Sequence, residues 1–341
     1  MQVFPFFIPH EGCPHRCLFC QQEKTSGHVM APSPSDVADE LGRLLPAAGD
    51  GDIAFYGGTF TLLPAPRQRD YLAAAATFVR AGRAGGIRIS TRPDALEHEH
   101  LELLSGFSLR TVEIGCQSFD PEVLALSGRG HGADAAAGAV ARARRAGLAV
   151  GLQLMPGLPG GDRAEALSSL QTALELQPDF LRIYPTVVLA GSALEPLFEG
   201  GQFQPLSLAA AVEICAEMLW RCRWAKVPVI RLGLQSTREL DSRAGVVAGP
   251  YHPAFGQLVL SHLWRRALQR VVKETAARKV FVCPSELSDA LGQHRQNLEY
   301  IRTRSGDFSI FAQKGVSRGM LHVGSESFFL MEMAAYQGSC H

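Results

Sequence analysis

Val3-Phe-Pro-Phe-Phe-Ile8-Pro-His-Glu-Gly-Cys13-Pro-His-Arg-Cys17-Leu-Phe-Cys20 sets an apolar run directly before three cysteines spaced C-x3-C-x2-C. Three closely spaced thiolates can hold three irons of a [4Fe–4S] cluster and leave the fourth iron open to an outside ligand. The same spacing also suits zinc, with His10 or His15 as a fourth ligand. The position of the loop, immediately after the first strand of an alternating α/β pattern, favours the cluster.

Further along the chain, short apolar runs read as strands over 3–8, 52–56, 87–91, 111–116, 149–155, 180–188 and 228–234. They are near-continuously apolar, as strands buried in a parallel sheet should be. Helical patterns occupy 35–45, 67–79, 99–104, 134–146, 163–176 and 208–224, with Gly106 and Gly147 as suitable stops. Strand and helix alternating six times, with a closing strand, predict an α/β chain folded as a full or partial (β/α) TIM-type barrel. A doubly wound open sheet is the alternative. In a parallel barrel the active site lies at the C-terminal ends of the strands.

The chain has 341 residues, 46% apolar and 19% charged, with 33 basic and 33 acidic side chains. That excludes a disordered chain and suits a barrel over 1–236 with a C-terminal extension over 237–341. No apolar run approaches the ~18 residues of a membrane span, and the first residues lack the pattern of a secretory signal. The expectation is a cytoplasmic protein with no membrane partner. Eight cysteines, three of them within eight residues, point to metal or redox chemistry rather than to disulfides. Residues 249–341 carry 11 basic and 7 acidic groups, against 22 and 26 in residues 1–248, so the tail is mildly basic.

Further segments fall at the ends of the predicted strands: Gly57-Gly58-Thr59, Ser90-Thr91-Arg92-Pro93-Asp94, Gly115-Cys116-Gln117-Ser118, Gln153-Leu-Met-Pro-Gly-Leu-Pro159 and Tyr184-Pro185-Thr186. With the cysteine loop, whose Phe19 precedes the last cysteine, this series resembles the radical S-adenosylmethionine (SAM) enzymes. The resemblance implies that Cys13, Cys17 and Cys20 ligate a [4Fe–4S] cluster whose open iron chelates S-adenosylmethionine. It further implies reductive cleavage to a 5′-deoxyadenosyl radical, the electron coming from a low-potential donor such as flavodoxin or ferredoxin. By the same resemblance, Phe19, Gly57, Gly58, Thr59, Ser90, Gln117, Arg129 and Gln153 fall on cofactor-binding positions. Arg129 would meet the cofactor carboxylate as a bidentate partner. Ser90 stands where relatives often carry a glutamate, and Gln153 where oxygen-independent coproporphyrinogen oxidase has an aspartate. Cys116, Tyr184 and Tyr251 are the positional candidates for returning a hydrogen atom to a product radical.

Within the superfamily, Gly57-Gly58-Thr59-Phe60, Thr91-Arg92-Pro93-Asp94, Glu113-Ile-Gly-Cys-Gln-Ser118, Arg129-Gly130-His131 and Tyr184-Pro185-Thr186 are similar to the Elongator catalytic subunits, which modify wobble uridine in tRNA. Those enzymes add an acetyltransferase-like domain; about a hundred residues follow the last barrel strand here, and no acetyl-coenzyme A loop is legible in them. In the tail, strand, helix, turn, helix, strand over 279–312 is the order of a KH-like α/β module, with Gly292-Gln293-His294-Arg295 at the turn. KH modules clamp single-stranded RNA at such a turn, so Gln293, His294 and Arg295 are RNA-contact candidates. Cys215, Cys222 and Cys283 read as structural, and Cys340 has no assigned role. Three readings follow: a radical enzyme acting on tRNA or RNA, a radical enzyme acting on a small tetrapyrrole-like metabolite or a peptide, and a non-enzymatic zinc or iron–sulfur protein.

Overall fold

A computed structural model describes residues 2–28, 30–242 and 244–336; Cys340 lies outside the described residues. In chain order the first strands are β1 (Val3–Ile8), β2 (Asp52–Gly57), β3 (Gly86–Thr91), β4 (Leu109–Gln117), β5 (Ala149–Leu154), β6 (Phe180–Ile183), β7 (Val188–Leu189) and β8 (Val229–Leu232). All except β7 form one parallel sheet in the order β1-β2-β3-β4-β5-β6-β8. The order never reverses, which excludes the doubly wound alternative, because such a sheet changes direction at a switch point. Six crossovers of one hand place their helices on one face, so the sheet curls around the other. Strands β1 and β8 remain edges, and the barrel is a half-barrel.

The crossover helices are Pro34–Leu44, Ala65–Arg80, His98–Leu104, Asp134–Arg145, Arg163–Glu175 and Leu208–Trp224. Local chemistry sets several starts. Ser33 and Asp36 form a reciprocal capping box with Pro34 in the first turn, while Asp162 and Ser207 cap their helices. Under these helices lies the apolar face of the sheet: Phe6, Ile53, Phe55, Ile87, Ile89, Val112, Ile114, Val150, Leu152 and Leu181 are all buried.

The inner face departs from the expected apolar pattern. Asp52, Arg88 and Glu113 are buried there, and Arg88 donates to Asp52 at 2.8 Å and to Glu113 at 2.9 Å. Glu113 also takes Arg182 at 2.8 Å and the Tyr56 hydroxyl at 2.7 Å. Arg182 lies over the Tyr56 ring, 4.7 Å from its centroid, and Arg88 lies 5.0 Å from that of Phe180. The lumen is therefore lined with paired charges.

The run expected as one strand over 180–188 is broken. Pro185 has no N–H to offer a ladder, β6 stops at Ile183, and β7 pairs antiparallel with β9 (Val246–Ala248) in a separate ribbon. After β9 comes the helix Phe255–Thr275, which packs against Leu208–Trp224 and carries the buried Trp264. The remaining strands, β10 (Lys279–Val282), β11 (Ser309–Ala312), β12 (Met320–Val323) and β13 (Glu326–Phe329), form a sheet in the order β11-β10-β12-β13. Strands β10 and β11 are parallel and flank the helices Leu287–Leu291 and Gln296–Ser305 in sequence, so the expected order from 279 to 312 is present. The antiparallel β12 and β13 went unforeseen; both are four residues long and only partly buried. Trp220 donates its indole N–H to the Met331 carbonyl at 2.7 Å, and the buried residues of barrel and extension form one continuous cluster.

Replacing Arg88 by leucine leaves Asp52, wholly buried, without its two-point partner. A loss of about 3–5 kcal/mol in urea unfolding is expected, with partial recovery in Arg88→Leu/Asp52→Asn. On the helix Phe255–Thr275, burial and the Arg265 and Arg266 charges lower the His262 pKa to about 4. The unfolded chain protonates this imidazole near 6.5, so between about 6.5 and 4 it binds more protons than the folded chain, and stability falls as pH drops through that window. His262→Gln should make the difference between urea midpoints at pH 7 and pH 5 smaller.

Candidate active site

The loop after β1 is held against the turn after β2 by contacts that only glycine permits. Thr59 N–H donates to the Glu11 carbonyl at 2.9 Å, and Gly58 N–H donates to the Ile8 carbonyl at 2.9 Å. A Cβ on Gly58 would stand 1.9 Å from the Glu11 carbonyl oxygen, and one on Gly12, whose φ is +72°, would stand 2.3 Å from that of Thr59. Cys13 Sγ thereby comes to rest 3.3 Å from the buried Thr59 hydroxyl.

The far side of the loop is tied down as well. Leu18 N–H donates to the Ser127 carbonyl at 3.1 Å, and Leu18 accepts from Leu194 N–H at 2.9 Å. Phe19, half-buried, packs with Val123, Met155, Leu158 and Tyr184. Cys20 receives Gln22 Nε2 at 3.5 Å, and its thiol pKa is pushed up to about 12 by burial, then by the neighbouring Cys17 sulfur.

Arg129, 5% exposed, reaches into the same space from the segment after β4. Its guanidinium donates to Cys17 Sγ at 3.2 Å, to the Gly115 carbonyl at 2.5 Å and to His131 Nε2 at 3.2 Å. Arg92, paired with Asp94 at 2.8 and 2.9 Å, donates to the Arg129 carbonyl at 2.6 Å and fixes that segment from below. Burial and then the Arg129 charge lower the His131 pKa to about 4, leaving its Nε2 a neutral acceptor. Beside Arg129, Gln117 has φ +71°, a left-handed conformation that costs a non-glycine residue about 1 kcal/mol. It lies at a register shift between β4 and β5, and its side-chain oxygen accepts from Gln153 Nε2 at 3.1 Å. Strain of this kind, held by its surroundings, collects at functional sites.

The structure thus gathers Cys13, Cys17, Cys20, Phe19, Gly57, Gly58, Thr59, Gln117, Arg129 and Gln153 around the C-terminal mouth of the half-barrel. Ser90, half-buried on β3, sits in register with Glu113 on the lumen face. Gln293, His294 and Arg295 belong to the C-terminal unit instead; His294 and Arg295 are exposed, with φ of +49° and +61°. Of the two proposed zinc histidines, His10 Nε2 accepts from Gln22 N–H at 3.2 Å, while the exposed His15 ring lies against Gly130. Among the described residues, no three Cys, His, Asp or Glu side chains are gathered for a metal ion. Cys116 is corrected as a hydrogen donor, because its side chain is wholly buried on the helix-facing side of β4. Tyr251 bonds to Asp241 on the surface, whereas Tyr184 stands in the lumen beside Arg182. A cleft of about 540 Å³, lined in part by Leu18, Leu158, Gly160 and Phe203, opens alongside the loop.

Residues 7–173 match the Radical SAM superfamily, and residues 178–265 match the Radical SAM C-terminal domain. The chain belongs to the radical SAM superfamily. The tRNA uridine(34) acetyltransferase of Methanocaldococcus infernus is 27% identical over 192 residues, 55% of this chain and 34% of that protein. Elongator complex protein 3 of Danio rerio is 33% identical over 137 residues, 39% of this chain and 25% of that protein. This radical SAM chain therefore spans about a third or less of the length of these relatives. An uncharacterized protein of Methanocaldococcus jannaschii is 25% identical over 226 residues, 61% of this chain and 68% of its own length. Among solved structures, the Elp3 of Methanocaldococcus infernus lacking residues 1–46 superposes with a TM-score of 0.61 at 20% identity, covering 80% of this chain and 68% of that one. Membership of this superfamily makes the chain an enzyme.

The charged lumen network of Arg88, Glu113 and Arg182 was missed in the sequence. Its signal was a charge at alternate positions inside otherwise apolar strands, as in Gly86-Ile-Arg-Ile-Ser90 and Phe180-Leu-Arg-Ile183.

Gly58→Ala should dislodge the cysteine loop, because its Cβ meets backbone. Faster alkylation of the loop cysteines and a melting temperature lower by several degrees are expected, whereas Gly132→Ala, with nothing within 4 Å of the added Cβ, should leave both unchanged.

Proposed function

We propose that Cys13, Cys17 and Cys20 hold a [4Fe–4S] cluster, that the Gly57–Thr59 turn, Gln117, Arg129 and Gln153 hold S-adenosylmethionine against it, and that the enzyme modifies tRNA. The observation that carries the cofactor reading is the three-thiol loop locked by glycine contacts onto the β2 turn, with a buried guanidinium on one sulfur. The donor set fits the group: all three ligands are thiols, and Arg129 retains N–H groups beyond its three bonds. When bound, the pair supplies one-electron cleavage of the sulfonium to a 5′-deoxyadenosyl radical.

The chain's own residues do the rest. Arg129 and Thr59 place N–H and O–H groups on two of the sulfurs, and hydrogen bonds to ligating sulfur are one means of tuning a cluster's potential. The packed Phe19, Val123, Met155 and Leu158 keep water from that side of the loop. The reading of tRNA as substrate is supported by the names of relatives that share the radical SAM part. The Gly292–Arg295 turn of the basic tail, with His294 and Arg295 exposed, offers a second RNA contact. A flavodoxin or ferredoxin would be the electron donor.

The test is anaerobic reconstitution followed by the rate of 5′-deoxyadenosine formation with dithionite, with and without bulk tRNA. About four irons per chain and strong stimulation by tRNA are expected. Cys17→Ala should abolish formation, and full formation in that variant would sink the cofactor assignment. A rate indifferent to tRNA would remove the RNA substrate and direct the search to small metabolites and peptides.

A further inference from the structure

Arg182 and Arg231 are register partners on β6 and β8, so their side chains leave the same, inward face of the sheet. Their surroundings differ. Arg182 holds Glu113 at 2.8 Å, the Tyr56 hydroxyl at 2.7 Å and the Tyr184 hydroxyl at 3.1 Å, which leaves two of its five N–H groups. Arg231 makes no ion pair among the described residues, and its hydrogen bond is from Nε to the Gly233 carbonyl at 3.3 Å. Arg88 and Arg182 pair with the buried carboxylates Asp52 and Glu113, Asp52 also has the exposed Arg110 at 3.9 Å, and Arg231 has no carboxylate partner among the described residues. Its positive charge is therefore unpaired.

The place of that charge matters. Strand β8 is an edge of the half-barrel, so Arg231 stands beside the opening between β8 and β1 and is only partly buried. The Arg231 charge also acts on the Tyr184 phenol next to Arg182. Because that phenol accepts from Arg182, its own O–H is available to another acceptor. A guanidinium fork with unused N–H groups, a second guanidinium and a phenol donor make a donor set for an oxyanion. A cationic or apolar group would find no complement there.

We propose that Arg231, with Arg182 and Tyr184, binds an oxyanion of the substrate, phosphate or carboxylate, inside the half-barrel at its open edge. The proposal rests on reading this lumen as the substrate site, and it concerns a second site, apart from Arg129 and the cofactor. Inorganic phosphate and acetate are titrated separately into the reconstituted protein with S-adenosylmethionine present, and binding is followed by calorimetry. At least one anion should bind the native protein, at least tenfold more weakly to Arg231→Gln and with a smaller loss to Arg231→Lys. Binding of phosphate alone marks a phosphate source, and binding of acetate alone marks a carboxylate source. Equal affinity in the native protein and Arg231→Gln overturns the proposal, as does no binding of either anion to the native protein. S-adenosylmethionine affinity should be the same in all three proteins; its loss in Arg231→Gln also overturns the proposal, because the guanidinium would then serve the cofactor. Thermal melting of each variant confirms that it is folded, and Arg231→Lys keeps the test open if Arg231→Gln is not. Failure of tRNA to stimulate 5′-deoxyadenosine formation would remove the RNA reading without touching the anion result.

Discussion

One carboxylate, Glu113, is shared by Arg88, Arg182 and the Tyr56 hydroxyl, and the inside of the half-barrel is organised around it. These groups come from β2, β3, β4 and β6, so the network spans the curled sheet from one wall to the other. Such a core is not an efficient source of stability, since desolvation offsets much of the attraction between buried charges. It constrains geometry instead. Each ion is satisfied only when the strands keep their register and curvature, and an aliphatic core would tolerate a wider range of both.

The same constraint shapes the working end. Above the charged layer, at the C-terminal ends of the strands, the cysteine loop rests on the β2 turn through backbone contacts that exclude any Cβ at Gly12 and Gly58. Arg129 then ties that loop to β4 through the Gly115 carbonyl, while Arg92 and Asp94 hold the Arg129 backbone. Loop, turn and guanidinium are thus three parts of one rigid mouth. Preorganisation of this sort suits a site that must hold reacting groups in fixed positions and exclude water.

Beyond the mouth, the extension is coupled to the barrel rather than tethered to it. Trp220 and Trp264 lie in the packing between the two long helices and the tail, and the buried cluster is continuous through them. Movement of the C-terminal sheet would therefore be felt in the helix that leads into β8, the strand that carries Arg231.

Much of this was legible in the residues. The spacing of Cys13, Cys17 and Cys20, the apolar periodicity of seven strands and the position of Gly57-Gly58 are local properties, and local properties are written in order along a chain. They sufficed for a parallel α/β barrel, full or partial, with a thiol loop at its mouth; the half-barrel itself came from the strand order. Other features depend on which faces meet. The break at Pro185 that diverts β7 from the sheet, the burial of Cys116 away from the lumen and the hydrogen bond of His10 to Gln22 all required the packed chain. Charges inside strands, such as Arg88, Glu113 and Arg182, can be seen one at a time in sequence. Their pairing across 25 to 69 positions, and the charge left over at Arg231, appear only once curvature brings alternate residues of distant strands to one face. Coulomb interactions depend on distance in space, and spacing along the chain does not encode that distance.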